Sequence, residues 1–303
     1  MLPSLLACLV ALPAIAAGQV ALAPKDAAEA NRAAWIALKD TGFAVPPGAT
    51  PAAILDASAG LLGNRDRVLR DDVAYGLAVA WIYRDRRVPD AAIRAFATRL
   101  LGNLRPGPPG DAALERSFSA LVLSIVAAAD LKAPIFTTED REALVHAAAL
   151  FLADELDTRG YDPQVGWVHA TAHTADLLKF LGRSPQLTAA GQRIIVQSIA
   201  ARIDRPGGVF IWGEDDRLAA ALGSLVVRAD FDPAPLDAWL AGLAPAWKGL
   251  WSAPTFDMGG YARLTNARHV LRSLYVSVAE ARDLPPGARA IQAHVLAVLG
   301  QLD

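Results

Sequence analysis

Residues Arg159–Leu181 read RGYDPQVGWVHATAHTADLLKFL and join a turn to an apolar segment with helical spacing. The turn is rich in Gly, Pro and Asp, which favour turns. A helix over 167–181 places His169, His173 and Asp176 at positions i, i+4 and i+7, on one face. The remaining residues are mostly Ala, Leu, Val or Phe, so this polar stripe is unlike an ordinary solvated face. We expect it to line a cleft or to join a buried hydrogen-bond network.

The spacing of His169 and His173 lets two imidazoles reach one divalent metal, such as zinc. Asp176 then supplies a third ligand or orients an imidazole. Ala170 stands where the HExxH motif has its Glu, so the base of a metalloprotease is lacking. Two other interpretations stay open. One is a metal-free catalytic role in a cleft, and the other is a buried network in which the imidazoles bond to Asp176 or to backbone carbonyls.

A second candidate region is WGEDDR at Trp212–Arg217, which follows a Gly-rich loop. Glu214 or Asp215 is placed to act as an acid or base beside the indole. Acidic residues also favour helix N-termini, so a helix beginning near Glu214 explains the same carboxylates, and Arg217 is placed to pair with them. We predict that this region and the histidine helix face one shared cleft. The expected ligand contacts there are Trp167, Trp212 and Arg217.

Charged residues before the histidine helix predict an ion-pair network with a structural role. Its members are Glu155, Asp157, Arg159 and Asp162. Arg159 is also a candidate ligand contact. Arg116 enters an otherwise apolar helix, and an arginine there needs a carboxylate partner or an anionic ligand. The candidate partners of Arg116 are Asp176, Glu155 and Glu214.

Composition excludes several functional classes. The chain has 303 residues, of which 53% are hydrophobic and 20% charged, with a net charge of -2. That length allows one large core or two modest ones. We find no block of Lys and Arg, so we expect no nucleic-acid partner. The Walker loop, the Rossmann glycine motif, G-x-S-x-G and C-x-x-C are all missing, which argues against nucleotide binding, dinucleotide redox chemistry and α/β-hydrolase activity.

The first residues, MLPSLLACLVALPAIAAGQ, predict a cleavable signal peptide over residues 1–17. It lacks the usual positive charge. The alternatives are a lipoprotein signal ending at Cys8 and a buried first helix. The apolar run is shorter than the ~20 residues of a membrane span, so no transmembrane span is expected after removal. Export to the periplasm or medium follows. Cys8 is the only cysteine, so the mature chain would form no disulfide.

Apolar periodicity and breaks at Pro, Gly, Asp and Asn predict about twelve or thirteen helices. The predicted ranges are 27–39, 51–62, 68–83, 90–104, 111–130, 138–156, 167–181, 188–203, 214–227, 233–243, 245–251, 262–282 and 286–299. Phe210–Trp212 is a candidate short strand. We therefore predict a single all-α domain over residues 25–303. The regular spacing of helix pairs favours an array of antiparallel pairs, either a HEAT-like α/α solenoid or a toroid.

Four segments together resemble a known family. They are LRDDVAYGLAVAWIY (69–83), ERSFSALVLSIV (115–126), RGYDPQVGWVHATAHTADLL (159–178) and WGEDDRLAAA (212–221). In this order they are similar to bacterial proteins grouped as domain of unknown function 2785, over about 52–243. The core GWxHxxxHxxD is the most specific part. The resemblance implies a helical domain and draws attention to the same residues, but it implies no particular activity.

Two functional hypotheses follow. The first is a binding or interaction module with a polar cleft around the histidine helix, because helical arrays present extended surfaces to partners. The second is a hydrolase or lyase, with or without a metal, acting on a glycan or another cell-envelope substrate. Across the two hypotheses, the expected partner of the protein is a small molecule, a glycan or a protein. Trp247 and Trp251, at i and i+4, are expected to pack in the core, with sugar stacking as the alternative.

Overall fold

The computed structural model describes residues 32–205 and 208–302, and these residues are mostly helical. The predicted all-α class is therefore confirmed. Within these ranges, β structure is limited to one hairpin of two-residue strands. The signal peptide expected over residues 1–17 and the lipoprotein alternative at Cys8 lie outside the described residues.

The described ranges contain twelve helices. The first six are α1 (Arg32–Asp40), α2 (Pro51–Ser58), α3 (68–84), α4 (Asp90–Leu101), α5 (Ala112–Lys132) and α6 (Thr138–Asp154). The hairpin follows, with β1 (Tyr161–Asp162) antiparallel to β2 (Gly166–Trp167). The last six are α7 (Ala170–Gly182), α8 (Ala189–Asp204), α9 (Glu214–Val226), α10 (Ala234–Ser252), α11 (Met258–Glu280) and α12 (Pro286–Leu299).

Local sequence signals explain how several helices begin. The side chain of Thr50 accepts a hydrogen bond from the Ala53 backbone, and Pro51 occupies the first helical position of α2. Thr137 and Asp140 form a reciprocal capping box at the start of α6. These caps satisfy backbone N–H groups that have no partner inside the helix. Both helices begin where the predicted ranges do, at residues 51 and 138.

Helix α3 departs from regular α geometry along most of its length. Residues Val68–Tyr75 and Val79–Arg84 are π-helical, with a short α segment at Gly76–Ala78 between them. Such widened turns are uncommon and occur frequently at functional sites. Here they begin two residues before Arg70, a fully buried arginine that contacts the hairpin.

Two local predictions are wrong. The ranges 233–243 and 245–251 form one continuous helix, α10, with Pro245 inside it. Leu243 and Trp247 are both buried on either side of Pro245. Packing of this apolar face outweighs the hydrogen bond that proline cannot make. Phe210–Trp212 is not a strand, because the backbone amide of Phe210 bonds to the side chain of Asn266 and not to a neighbouring strand.

Helices that alternate along the chain pack against each other. Helix α7 contacts α5 on one side and α9 on the other, and α9 contacts α11. A second series of contacts joins α6 to α8 and α8 to α10. Ser117, near the start of α5, is hydrogen-bonded to His173 in the first turn of α7. The N-terminal ends of α5, α7 and α9 therefore lie side by side, and the candidate site is built there.

Within the described ranges, one helix is long and apolar enough to cross a membrane by length and composition. It is α5, and 78% of its apolar window is buried inside the protein. Core helices of this kind satisfy the same criterion.

Candidate functional site

The backbone turns sharply at His169, between the hairpin and α7. Backbone N–H groups of Val168 and His169 bond to the carbonyls of Gly160 and Arg159, which keeps this segment extended. Helix α7 begins only at Ala170, and His169 adopts the left-handed conformation with φ 54°. The prediction that His169 lies within the helix is therefore wrong, but its ring still lies 5.6 Å from that of His173. For a residue with a side chain this conformation costs about 1–2 kcal/mol, and such strain concentrates at functional sites.

Three exposed aromatic rings gather beside His169, and we call them the aromatic platform. They are Tyr161, Trp167 and Trp212, with 38%, 40% and 42% of their surface exposed. Their ring centroids lie 5.2 to 6.3 Å apart. The imidazole of His169 stacks on Trp167 at 4.8 Å. Exposed clusters of large aromatic side chains are typical of binding surfaces.

A buried glycine holds one ring of the platform in place. The indole of Trp212 lies directly over Gly160, and a Cβ atom at that position would overlap the indole. The missing side chain thus allows the indole of Trp212, from the loop before α9, to pack against the segment before the hairpin. A larger residue at position 160 would push the indole away from Trp167.

The protonation of His169 follows from its hydrogen bond. Its Nε2 lies 3.0 Å from the backbone oxygen of Trp212, which can only accept, so Nε2 carries the proton. The Oε1 atom of Glu214 is 3.9 Å from the same nitrogen. Burial lowers the pKa of His169, and the negative charge of Glu214 opposes that shift. His169 is thus a neutral imidazole at pH 7, with Nδ1 as a hydrogen-bond acceptor.

His173 forms a buried chain of hydrogen bonds with a serine of α5. The hydroxyl of Ser117 donates to the backbone oxygen of Val168, so it must accept from Nδ1 of His173, 2.8 Å away. This leaves Nε2 of His173 without a proton, and no described residue donates a hydrogen bond to it. Burial holds the pKa of His173 well below its usual range. The two imidazoles lie 5.6 Å apart, so the site offers two unprotonated nitrogens.

Stability is expected to fall as pH drops below about 6.5. The unfolded chain binds protons at His169 and His173 there, whereas the folded chain resists them because both pKa values are lowered. Each histidine contributes a slope of up to about 1.4 kcal/mol per pH unit. Urea denaturation at about pH 7, 6 and 5 measures this slope. His173→Gln should flatten it, and His146→Gln, at an exposed position, should not. An unchanged slope in His173→Gln would contradict the assignment.

Asp176 is bound by two cations and makes no hydrogen bond to either histidine, although its charge acts on His169. It accepts hydrogen bonds from Lys179 at 2.7 Å and from Arg217 of α9. The prediction that Arg217 pairs with the acidic residues beside it is therefore wrong. Arg217 instead crosses to α7, because its position in the first turn of α9 places it against Asp176. Tyr75 lies close by, and burial together with the charge of Asp176 raises the pKa of Tyr75.

The acidic residues at the start of α9 diverge. Glu214 is buried beside His169 and accepts a hydrogen bond from the Trp212 backbone at 2.9 Å. Asp215 lies 3.8 Å from His269, away from the two central histidines. The structure thus brings Glu214 into the site and places Asp215 outside it.

The remaining predicted contacts hold the loops in place. Arg116 makes a bidentate ion pair with Glu155, one of its expected partners, at 2.7 and 2.8 Å. Arg159 pairs with Asp157 at 2.6 Å and with Asp162 at 2.8 Å, as the network prediction requires. These pairs order the segment that leads into the hairpin. A pocket of about 220 Å³ opens next to it, and its wall includes Arg159, Trp212 and Glu214.

The predicted metal ligands do not converge. In the part of the chain that the structure describes, no group of three or more His, Cys, Asp or Glu side chains is placed to hold a metal ion. Asp176 faces Lys179 and Arg217, which leaves His169 and His173 as a pair. Zinc binding stays a prediction.

Several residues of the site were not predicted from the sequence. Ser117 is one of few polar residues on the buried part of α5, whereas Arg70 stands directly before Asp71 and Asp72 in α3. A polar group surrounded by apolar residues was the available signal for Ser117, and no such signal marked Arg70. Tyr161 was assigned only to a turn, and no periodicity relates it to Trp212. Their contact depends on the tertiary fold.

The fold and the site define an all-α protein with a neutral histidine pair beside an exposed aromatic platform. The family model described as "Protein of unknown function (DUF2785)" matches residues 100–276, more than half of the chain. The chain belongs to this family, as its sequence segments suggested. No curated protein and no solved structure matches it.

Proposed function

We propose that this protein is a binding module whose aromatic platform and neighbouring polar groups hold a glycan. The observation that carries the proposal is the meeting of three exposed aromatic rings around His169, two from the hairpin and one from the loop before α9. Sugar rings present C–H faces that pack on aromatic rings and hydroxyls that need hydrogen-bond partners. The platform offers the rings, and the adjacent residues His169, Glu214 and Arg217 offer acceptors and donors.

Strain at His169 supports a functional role. A residue selected only for stability at φ 54° would be glycine, which adopts this conformation without cost. The chain instead keeps an imidazole there, stacked on Trp167 and bonded to the Trp212 backbone. The strain is offset by these contacts, and the imidazole remains available to a ligand.

His169→Gly separates the binding role from stability. We expect its free energy of unfolding to stay within about 1 kcal/mol of wild type, because relief of strain offsets the lost contacts. Affinity for oligosaccharides should fall about tenfold or more, because an acceptor at the platform is lost. Calorimetric titration with soluble cell-envelope oligosaccharides measures this. His169→Ala is the matched control and should be less stable than His169→Gly by about 1–2 kcal/mol. Full affinity in His169→Gly would oppose the proposal.

An enzyme is the alternative function, and one contact favours it. His169 lies 3.9 Å from Glu214, and burial keeps the imidazole neutral and able to accept a proton. A hydrolase or lyase acting on a glycan would use His169 or His173 as base and Glu214 as acid. Release of reducing ends from the same oligosaccharides, lost in Glu214→Gln, would favour this alternative.

We further propose that the helices form an array of antiparallel pairs, either a solenoid or a toroid. The alternating contacts of α5, α7, α9 and α11, and of α6, α8 and α10, support this arrangement. In such an array, the loops before alternate helices line one end. The platform, built from the loops before α7 and α9, fits that position. Export to the periplasm or medium is part of the same proposal, since a cell-envelope glycan is found there.

A further inference from the structure

The pocket beside the aromatic platform contains a buried arginine without a carboxylate partner. Arg202 of α8 is only 4% exposed and lines the 220 Å³ pocket. Its Nη1 donates to the backbone oxygen of Glu155 at 2.8 Å. Its Nε has no hydrogen-bond partner among the described residues, and none of their carboxylates lies within ion-pair distance of its guanidinium.

The other charged groups of the pocket are already engaged. Arg159 is paired with Asp157 and Asp162, and Arg205 donates to Asp154 at 2.6 Å. Glu214 also lines the pocket, but one of its oxygens accepts from the Trp212 backbone and the other faces His169. Glu155 and Glu214 act on Arg202 through their charge, but of the pocket's three described arginines Arg202 is the one without an ion pair.

Burying a cation without an ion-pair partner is costly. Burial lowers the pKa of Arg202 to about 10, because the charged form is poorly solvated. An oxyanion in the pocket would remove this penalty, since a guanidinium donates to carboxylate and phosphate through two parallel N–H groups. The pocket is smaller than the ~300–1,000 Å³ usual for drug-sized ligands, so it suits a small anion or the acidic end of a larger molecule.

We propose that this pocket is a binding site for an oxyanion, a carboxylate or a phosphate group, held by Arg202. The site goes beyond the glycan proposal and does not depend on it. Because Trp212 borders both the pocket and the platform, one acidic ligand is able to use both.

Thermal unfolding with inorganic phosphate or acetate tests the site, with sodium chloride at equal ionic strength as the reference. We expect the midpoint of the wild type to rise above the chloride reference. A rise with phosphate alone assigns the phosphate group, and a rise with acetate alone assigns the carboxylate. No rise with either anion overturns the proposal.

Arg202→Met should lower the apparent affinity for the effective anion by about tenfold or more. The matched control is Arg193→Met, which removes an exposed arginine from the same helix and should respond as the wild type does. An anion response retained in Arg202→Met overturns the proposal. If that variant does not fold, Arg202→Lys replaces it, because lysine keeps the charge but loses the two parallel donors. An undiminished response in Arg202→Lys then overturns the proposal equally.

Discussion

Replacement of Arg70 by methionine is expected to lower the free energy of unfolding by about 3 kcal/mol or more. The guanidinium of Arg70 is fully buried and donates to the carbonyls of Asn64 and Val165 at 3.0 and 2.9 Å. It also bonds to Asp71 at 2.7 Å. Methionine fills similar space but leaves both carbonyls without a donor. Urea denaturation near pH 7 measures the loss.

Arg70→Met should also alter the candidate site around His173. Arg70 anchors the hairpin through Val165, and its guanidinium lies 4.5 Å from the ring centroid of Phe118, which packs edge-on against His173. Its positive charge contributes to the low pKa of His173, so the pH slope of stability should also weaken in Arg70→Met. Arg67→Met is the control, since Arg67 is exposed on the same stretch, and its effect should stay within about 0.5 kcal/mol. A loss as small as that in Arg70→Met would contradict this account.

Trp212→Ala should reduce affinity for a bound oligosaccharide about thirtyfold or more, the effect of a central aromatic contact. The indole contributes one ring of the platform and lies over Gly160. Because the bond to His169 uses the backbone oxygen of Trp212, that bond survives the substitution. The free energy of unfolding should change by less than the free energy of binding, since the side chain is 42% exposed. Calorimetric titration beside urea denaturation separates the two effects.

Trp251→Ala is the matched control for this loss. Trp251 is 57% exposed and belongs to another aromatic cluster, with Trp247, Phe256 and Tyr261. The expectation that it packs in the core is wrong, whereas Trp247 is buried as predicted. Affinity should be unchanged in Trp251→Ala. Equal losses in both variants would mean that the platform has no special role in binding.

Helices were predictable because their signals are local. Apolar spacing and caps such as Thr50 and Thr137 specify where a helix forms and begins, without reference to the rest of the chain. Helix α10 was divided wrongly because Pro245 is a strong local breaker, and only burial of its neighbours keeps the helix continuous. Packing between distant segments is not visible in such signals.

The site was predictable in part for the same reason. Histidine spacing identified His169 and His173, but it assumed a helix where hydrogen bonds to Gly160 and Arg159 hold the chain extended. The ion pair of Asp176 with Arg217, 41 residues away, depends on the packing of α7 against α9. Local periodicity thus indicates which residues are unusual, and the tertiary fold decides which of them meet.

The most direct test of the platform is the NMR signal of each indole N–H during titration with an oligosaccharide that binds. The chain has 7 tryptophans, each with one such signal, which single Trp→Phe variants assign. We predict that the signals of Trp167 and Trp212 shift with the fraction bound, while those of Trp247 and Trp251 stay in place. Shifts confined to Trp247 and Trp251, with Trp167 and Trp212 unmoved, would place the ligand at the other aromatic cluster and contradict the account.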